Sequence, residues 1–308
     1  MKEGTFMEVY LDFARHVVLT VLAILYLPVS ILVSPAEGYE AKNPDEVKTS
    51  FSVVSDIHIE GNKYPTFETY AEILKGVHAG KDSDTLVFLG DNTMNGQDIE
   101  SIFFYTPLRL AKPAENLIIA PGNHDYGNGN GGYDKLADRF LRYANFAGCD
   151  IDNTYYYKVI DGYYFIVLTT ESDTVNGINI SDTQLSWLND VLSEATQEGK
   201  PAFVFSHYPI DYIEYGYGSY DRILNVLDDY ENVFFFSGHT HWQLSSYSVR
   251  DYNGVTSINF PKATEGYDEE YGTGIGAVVE VYDNEVLVRF RDFDDSKWVE
   301  GYEYSFEF

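Results

Sequence analysis

Five of the seven histidines in this 308-residue chain lie in short motifs that also contain carboxylates, an amide or glycine. Carboxylate oxygens, imidazole nitrogens and amide oxygens are ligands of zinc, manganese and iron, and the motifs contain no thiolate. The residue types therefore indicate a site for divalent metal ions. In chain order the motifs are Ser55-Asp56-Ile57-His58, Gly90-Asp91-Asn92, Gly122-Asn123-His124-Asp125, Ser206-His207 and Gly238-His239-Thr240-His241.

The spacing within the motifs supports the same interpretation. In an extended segment Asp56 and His58 point to the same side, and so do His239 and His241. The glycines that open three of the motifs let the backbone turn sharply and approach an ion closely. Taken alone, a Gly-Asp pair is most often a turn and a lone histidine is most often a core residue. The succession of all five motifs, each after an apolar strand, favours the metal site.

Each motif follows a short apolar run that is rich in Val, Ile and Phe. Runs of this length that are hydrophobic on both faces are typical of strands covered on both sides. Ligands of an open α/β sheet bind beyond the carboxyl ends of its strands, so these runs deliver the motifs to one rim. We predict strands over residues 51–54, 85–89, 116–120, 163–169, 202–205 and 232–236.

Helical patterns lie between the strands, at residues 67–77, 133–147 and 182–197. The third begins after Ser181, which is suited to cap it with Gln184 three residues later. Near the C-terminus, apolar and polar residues alternate within residues 276–282 and 285–293, which predicts the two strands of a hairpin. The sequence predicts an α/β fold in which helices flank two sheets or one large mixed sheet.

The order of the five motifs resembles the signature of the calcineurin-like metallophosphoesterase family. In that family Asp-x-His is followed by Gly-Asp, Gly-Asn-His-Asp, His and Gly-His-x-His. The resemblance covers roughly residues 49–265. It implies a four-layer αββα sandwich of two mixed β-sheets flanked by helices. It also implies a hydrolase, a phosphatase or phosphodiesterase, that cleaves phosphate mono- or diesters by attack of a metal-bridging hydroxide at a dinuclear centre.

The resemblance implies a role for each motif residue around two divalent ions (manganese, iron or zinc) that share Asp91. His124 would contact the phosphate and the leaving group, and Asp125 would orient His124. An imidazole titrates near neutral pH, so a histidine in this place can protonate a leaving alkoxide. The first ion would be held by Asp56, His58, Asp91 and His241, and the second by Asp91, Asn123, His207 and His239.

Differences from other branches of the family restrict the class of substrate that the resemblance implies. Purple acid phosphatases carry a tyrosine three residues after the aspartate of Gly-Asp, where this chain has Met94. Protein serine/threonine phosphatases follow Gly-Asp with Asp-Arg-Gly, whereas residues 92–96 here contain no arginine. The chain is then more similar to the cyclic-nucleotide-phosphodiesterase and small-molecule phosphatase branches. We expect a small-molecule phosphate ester as substrate.

Composition excludes two other classes of protein. The chain has 20 Lys and Arg against 49 Asp and Glu, a formal net charge of −29. Such a surface repels nucleic acids, so we expect no nucleic-acid binding. The single cysteine, Cys149, excludes an internal disulfide framework and a Cys-rich zinc site. Because Cys149 has no catalytic signature around it, we expect a buried thiol.

Two functions without turnover remain compatible with the motifs. One is a catalytically silent metal-binding surface module on the same scaffold, and the other is a metal sensor. The complete ligand set and the presence of His124 favour the enzyme.

Tyrosine-rich segments lie beside two of the motifs. Residues 208–220 contain five tyrosines directly after His207, and residues 126–133 form a glycine-rich loop directly after Asp125. These segments could form a rim that stacks on a ring of the substrate. Alternatively, they reflect the 27 tyrosines that are spread along the chain.

The N-terminal residues predict export. Residues 17–33 form an apolar run that follows Arg15 and precedes Glu37. The run is shorter than the roughly 20 residues of a comfortable membrane span and suits a secretory signal peptide, with small residues for cleavage at 34–36. We predict a signal peptide or an uncleaved signal anchor over residues 1–36, a polar leader over 37–48 and the metallophosphoesterase domain over 49–308.

Either form of the N-terminus places the domain outside the cytoplasm, because the positive charges precede the apolar run. The protein would be secreted, or anchored at the cell surface through residues 17–33 alone. The alternative for the apolar run is a buried core helix.

If the signal peptide is cleaved, the mature protein begins near Glu37 and is found outside the cytoplasm. N-terminal sequencing of the protein from fractionated cells checks this. Recovery of residues 1–36 intact in the membrane fraction would indicate the anchored form. Recovery of the uncleaved chain in the cytoplasm would contradict export.

Overall fold

The structure is a computed structural model of the chain, and it describes residues 3–33, 36–61, 63–81, 83–127, 132–172, 177–210, 220–264 and 273–308. Its strands form two mixed sheets of six strands each. The strands are β1 (Thr49–Val54), β2 (Thr85–Phe88), β3 (Asn116–Ile119), β4 (Tyr156–Ile160), β5 (Tyr163–Val167), β6 (Ala202–Phe205), β7 (Val233–Ser237), β8 (Val249–Tyr252), β9 (Val255–Asn259), β10 (Ile275–Val281), β11 (Glu285–Asp292) and β12 (Lys297–Glu307).

The helices lie between the strands and before the first of them. A π-helical turn at Leu22–Tyr26 joins the first two helices, and a short 3-10 helix at Gln197–Gly199 follows the sixth. The α-helices are α1 (Glu3–Val21), α2 (Leu27–Val33), α3 (Tyr64–Ala79), α4 (Asp98–Ala111), α5 (Tyr133–Ala147), α6 (Asp182–Ala195) and α7 (Tyr220–Leu227).

Both sheets combine parallel and antiparallel strands. The first has the order β12-β11-β10-β1-β2-β3, in which β1, β2 and β3 are parallel and β10, β11 and β12 form an antiparallel meander against β1. The second has the order β4-β5-β6-β7-β9-β8, with four parallel strands and antiparallel β4 and β8 at its edges. The polar motifs follow parallel strands of both sheets.

Phenylalanine rings fill the space between the two sheets. Phe51 of β1 packs edge to face on Phe165 of β5 and Phe203 of β6, with ring centroids 4.9 and 5.0 Å apart. Because side chains alternate along a strand, Ile166 faces the other way and packs in a separate cluster with Leu188 of α6. The layers are therefore helices, sheet, sheet and helices.

This architecture confirms the predicted α/β fold of two mixed sheets flanked by helices. Each predicted strand is present with its ends displaced by no more than two residues, and α5 begins and ends where predicted. Ser181 caps α6 as expected, because its Oγ accepts a hydrogen bond from the Gln184 N–H at 3.1 Å.

The sequence analysis missed α4, α7, β4, β8, β9 and β12. Helix α4 contains Pro107 in its interior, and proline normally ends a helix. Strands β4 and β12 alternate between exposed and half-buried residues at sheet edges, so they carry no continuous apolar run. An edge strand is recognised by its neighbours more than by its own residues.

Helices α1 and α2 lie against the domain. Helix α2 contacts α3 and α4, and Leu27 and Ile31 are buried there, whereas Leu25 and Val33 are exposed. Among the described residues, none of the helices combines the length and the apolar character that crossing a bilayer requires. Cleavage of this segment stays a prediction, and residues 34 and 35 of the expected cleavage site lie outside the described residues.

Residues 37–48, expected as a polar leader ahead of the domain, are bound to the first sheet. Arg291 donates to the Glu37 carbonyl at 2.9 Å, and Arg289 donates to the Glu40 carbonyl at 2.8 Å. Glu280 accepts a hydrogen bond from the Lys42 N–H at 2.8 Å. The packed part of the domain therefore includes these residues and begins before the predicted residue 49.

We predict that Glu280→Gln destabilises the fold by about 3–5 kcal/mol, since it leaves the Arg289 guanidinium buried without its counter-charge. Glu280 is fully buried, and the Nε of Arg289 lies 2.8 Å from its Oε1. Urea unfolding followed by circular dichroism measures the change. The matched control is Glu303→Gln, which breaks an exposed ion pair with Lys42 and should cost less than about 1 kcal/mol. Equal effects for the two variants would contradict the prediction.

Candidate metal centre

The carboxyl ends of five strands bring the motif residues together. β1, β2 and β3 of the first sheet lead into Asp56, Asp91 and Asn123, while β6 and β7 of the second lead into His207 and His239. Parallel strands present their carboxyl ends at the same edge of a sheet, and the two sheets meet at that edge. All seven predicted metal ligands therefore lie in one place, beside His124.

The first group of ligand atoms comes from Asp56, His58, Asp91 and His241. One oxygen or nitrogen atom from each lies within 4.8 Å of all the others. The Nε2 of His241 is 3.0 Å from Oδ1 of Asp56 and 3.2 Å from Nε2 of His58. Three of these side chains are buried, and that of His241 is 33% exposed. This group can therefore be reached from solvent on the side of His241.

The second group of ligand atoms surrounds His207. Its Nε2 lies 3.1 Å from Oδ1 of Asn123, 3.1 Å from Nδ1 of His239 and 3.2 Å from Oδ2 of Asp91. The side chain of His207 is fully buried. Asp91 belongs to both groups, because its Oδ2 also lies 3.5 Å from Nε2 of His58. The geometry is that of two adjacent ligand sets with one shared carboxylate.

Five of the ligands have backbone conformations that L-amino acids rarely adopt. Asp56, His58, Asp91, His239 and His241 have φ angles of 56°, 52°, 51°, 71° and 52°. The left-handed region is disfavoured for residues with a Cβ, and such strain persists only where the surrounding structure enforces it. Its concentration in the ligands indicates a functional site.

Glycines are required where the backbone approaches the carboxylates. A Cβ at Gly122 would lie 2.2 Å from Oδ1 of Asp91, and one at Gly238 would lie 2.4 Å from Oδ2 of Asp56. Neither distance is compatible with van der Waals contact. The expectation that the motif glycines allow a close approach is confirmed at both positions.

Electrostatics link His207 to Asp91 in the metal-free chain. Burial lowers the pKa of His207, but the charges of Asp91, Asp56 and Asp125 outweigh burial and raise it to about 9. Since this exceeds the value of about 6.5 for a free imidazole, the protonated ring stabilises the metal-free fold. That stabilisation is complete below about pH 6.5 and is lost as the pH rises through the folded-state value. A metal ion at this nitrogen would displace the proton.

His239, Asp56 and Asp91 are in the protonation states that metal binding needs. Burial and the positive charge of His207 lower the pKa of His239 to about 4, so its imidazole is neutral at pH 7. Burial raises the pKa of Asp56, but hydrogen bonds from His241 and His58 outweigh it and hold the pKa well below the ordinary value. Asp91 is likewise ionised, because the charge of His207 outweighs burial and lowers its pKa.

Acceptors behind the imidazoles fix which nitrogen faces the site. The Nδ1 of His207 lies 3.0 Å from the Leu89 carbonyl oxygen, and the Nδ1 of His58 lies 3.2 Å from the sulfur of Met94. A carbonyl oxygen and a thioether sulfur can only accept hydrogen bonds, so the Nδ1–H of each ring must be the donor. The Nε2 of each ring is left to face the carboxylates. Second-shell partners of this kind orient metal-ligating histidines.

The expected role of Asp125 is corrected by the geometry. Its carboxylate accepts hydrogen bonds from the N–H groups of Asn92, Thr93 and Gly122 and from the side chains of Asn92 and Thr93, at 2.9–3.1 Å. Asp125 thus ties the loop after β2 to the loop after β3. The ring of His124 is oriented by the Met94 carbonyl, which lies 2.6 Å from its Nδ1.

Sequence reasoning missed two residues that position ligands. Ser55 Oγ donates to Oδ2 of Asp56 at 2.5 Å, and the His239 N–H donates to the same oxygen at 3.1 Å. Met94 contacts two of the histidines. Ser55 directly precedes the first ligand, which is a usable sequence signal, whereas an apolar Met94 gives none.

The structure describes Cys149 and part of each tyrosine-rich segment. Tyr208 is buried and packs on the rings of His207 and His239, with centroids 5.2 and 4.9 Å apart, so Tyr208 itself is not a rim residue. Residues 211–219 and 128–131 lie outside the described residues. Cys149 is buried as expected, and burial raises the pKa of its thiol to about 12.

The donor set fits a divalent metal of the zinc, manganese or iron type. It consists of imidazoles, carboxylates and one amide oxygen, with their donor atoms facing one another. The outer nitrogens of His58 and His207 are hydrogen-bonded. The Nε2 atoms of His58 and His241 lie 3.2 Å apart and both face Oδ1 of Asp56, at 3.4 and 3.0 Å.

Comparison with solved structures supports the fold. A dimetal phosphatase from Danio rerio matches with a TM-score of 0.61 and 16% identity, over 85% of this chain and 99% of that chain. Vacuolar Protein Sorting 29 from Cryptosporidium parvum matches with 14% identity over 84% of this chain and 97% of that chain, but its TM-score of 0.41 is too low to support an argument. A sequence comparison with curated proteins finds no match.

The sequence also matches a family model, that of the calcineurin-like phosphoesterases, over residues 49–243. The match covers more than half of the chain and contains all five motifs. Together with the two-sheet fold and the converging ligands, it shows that this chain belongs to the calcineurin-like phosphoesterase family and is a hydrolase of phosphoester bonds.

Proposed function

We propose that this chain is an exported phosphoesterase that hydrolyses small-molecule phosphate mono- or diesters at a centre of two divalent metal ions. The observation that carries the proposal is the pair of ligand groups that share Asp91, with the ring of His124 beside them. The Nε2 of His124 lies 3.9 Å from Oδ2 of Asp91.

Asp56, His58, Asp91 and His241 would hold one ion, and Asp91, Asn123, His207 and His239 the other. Two bound dications would activate water as a nucleophile and neutralise the phosphoryl oxygens. The chain itself contributes the fixed geometry of the ligands. Their strained backbone and the acceptors behind their rings keep them in place before substrate arrives.

His124 is suited to protonate the leaving group. Its side chain is 20% exposed, so a substrate can reach it, whereas His207 is fully buried. The bond from its Nδ1 to the Met94 carbonyl directs Nε2 toward Asp91. A histidine held in this way can transfer a proton without also serving as a ligand.

The proposal of a small substrate is supported by the loop after β2. Residues 92–96 lack the arginine of protein phosphatases, and Met94 replaces the tyrosine of purple acid phosphatases. The net charge of −29 also opposes a nucleic-acid substrate.

Export is supported by the N-terminal sequence. The apolar run at residues 17–33 follows a positively charged flank and precedes an acidic one. A phosphoesterase located outside the cytoplasm would act on phosphate esters in its surroundings.

We predict that Asp91→Asn abolishes metal binding and turnover together. Asparagine keeps the shape and tolerates the left-handed backbone, but it removes the charge that both ligand groups share. Bound metal and hydrolysis should each fall by more than the roughly 10–100-fold that loss of an outer-shell partner costs. Elemental analysis after dialysis and an aryl phosphate assay measure the two losses.

The matched control for this experiment is Asp190→Asn. Asp190 is an exposed residue of α6, so the control should keep metal and turnover unchanged. If Asp91→Asn also kept both, Asp91 would not be the shared ligand.

We predict that His124→Asn keeps the metal ions but loses proton transfer. Turnover at saturating substrate should fall by about 10²–10⁴-fold. The loss should be largest for an alkyl phosphate, whose leaving alkoxide needs a proton, and smallest for a nitrophenyl phosphate. Hydrolysis of both esters with added Mn²⁺ measures it, and His78→Asn, at an exposed position near the end of α3, is the control.

The same assay tests the function as a whole. Equal losses for the two esters would mean that His124 only positions the phosphate, and loss of metal would make it a ligand. A wild-type chain that binds Mn²⁺ without hydrolysing any phosphate ester would contradict the enzyme and favour the catalytically silent metal-binding module.

A further inference from the structure

Met94 contacts both His58 and His124 from outside the ligand groups. Its sulfur lies 3.2 Å from Nδ1 of His58, and its carbonyl oxygen lies 2.6 Å from Nδ1 of His124. The two rings pack edge to face with centroids 4.6 Å apart. One residue therefore sets the orientation of a ligand and of the proposed acid.

The two contacts depend on Met94 in different ways. The carbonyl contact to His124 is made by the backbone, so it does not require a particular side chain at this position. The contact to His58 is made by the thioether, so it is lost when the side chain changes. Substitutions at Met94 can therefore separate the positioning of His58 from that of His124.

The thioether is a weak acceptor compared with the one that serves the other ligand group. His207 donates to the carbonyl oxygen of Leu89 at 3.0 Å, and a carbonyl is a full hydrogen-bond acceptor, whereas a thioether sulfur accepts only weakly. A stronger acceptor behind a metal-ligating imidazole raises the basicity of the ligand and holds the ring more firmly. The two ligand groups thus differ in the support behind their histidines.

We propose that the Met94 side chain is a positioning residue for His58 and sets the metal affinity of the group formed by Asp56, His58, Asp91 and His241. This inference rests on the proposed metal centre. A substitution that removes the acceptor should weaken that group alone, and one that supplies a stronger acceptor of similar length should strengthen it. We therefore expect the metal affinity of this group to be lowest with leucine at position 94, higher with methionine, and at least as high with glutamine.

The experiment titrates the metal-free full-length chain with Co²⁺ and follows both binding steps by visible absorption and calorimetry. Met94→Leu should weaken one step by about 10-fold, at the lower end of the range for an outer-shell partner, and leave the other unchanged. Met94→Gln should restore that step or tighten it.

The control variant is Leu110→Gln, at an exposed position of α4, and it should not change either step. The inference is overturned if Met94→Leu binds Co²⁺ within twofold of wild type, if Met94→Gln is as weak as Met94→Leu, or if both steps weaken together. Failure of the proposed function looks different: the wild-type chain would then bind Co²⁺ but hydrolyse no phosphate ester.

Discussion

The left-handed backbone at the ends of β1, β2 and β7 is the constraint on which the candidate site depends. Each of the five ligands in that conformation, from Asp56 to His241, costs on the order of 1–3 kcal/mol relative to a relaxed backbone. In return, the backbone departs from the extended conformation at these residues, and the ligand atoms face one another within a few ångströms. A relaxed β conformation would carry the same side chains past the site. The strained backbone conformation and the convergence of the ligand atoms therefore depend on each other.

The rest of the fold supplies what sustains this strain. The Phe51 cluster fixes the two sheets against each other, so the strand ends of one sheet stay in register with those of the other. Asp125 joins the loops after β2 and β3 with five hydrogen bonds. The His239 N–H of the second sheet holds Asp56 of the first, and Ser55 adds a bond from within the same loop. Each loop is thereby held by a neighbour as well as by its own strand.

The convergence of the candidate ligands could be predicted from the sequence because metal chemistry restricts such ligands to a few residue types, which here follow strand ends. The buried strands could be predicted for a similar reason, since each is a continuous apolar run. Edge strands such as β12 could not, because their residues are half exposed and their pairing is decided by neighbours. The attachment of residues 37–48 to Arg289 and Arg291 also escaped prediction, because the acceptors are backbone carbonyls and those are present at every position in a sequence.

The same reasoning explains why the sequence did not identify the hydrogen-bond acceptors that orient the histidines. Asp125 is adjacent to His124 in sequence, so a carboxylate–imidazole pair was the natural expectation, yet the carbonyl of Met94 performs that role. Leu89 likewise orients His207 through its carbonyl. Backbone acceptors place little restriction on the side chain at their position. Residue 94 is therefore free to differ without disturbing His124, and its side chain can be used to adjust His58. The ligands are determined by the metal, whereas the tuning of each ligand is left to residues that no motif identifies.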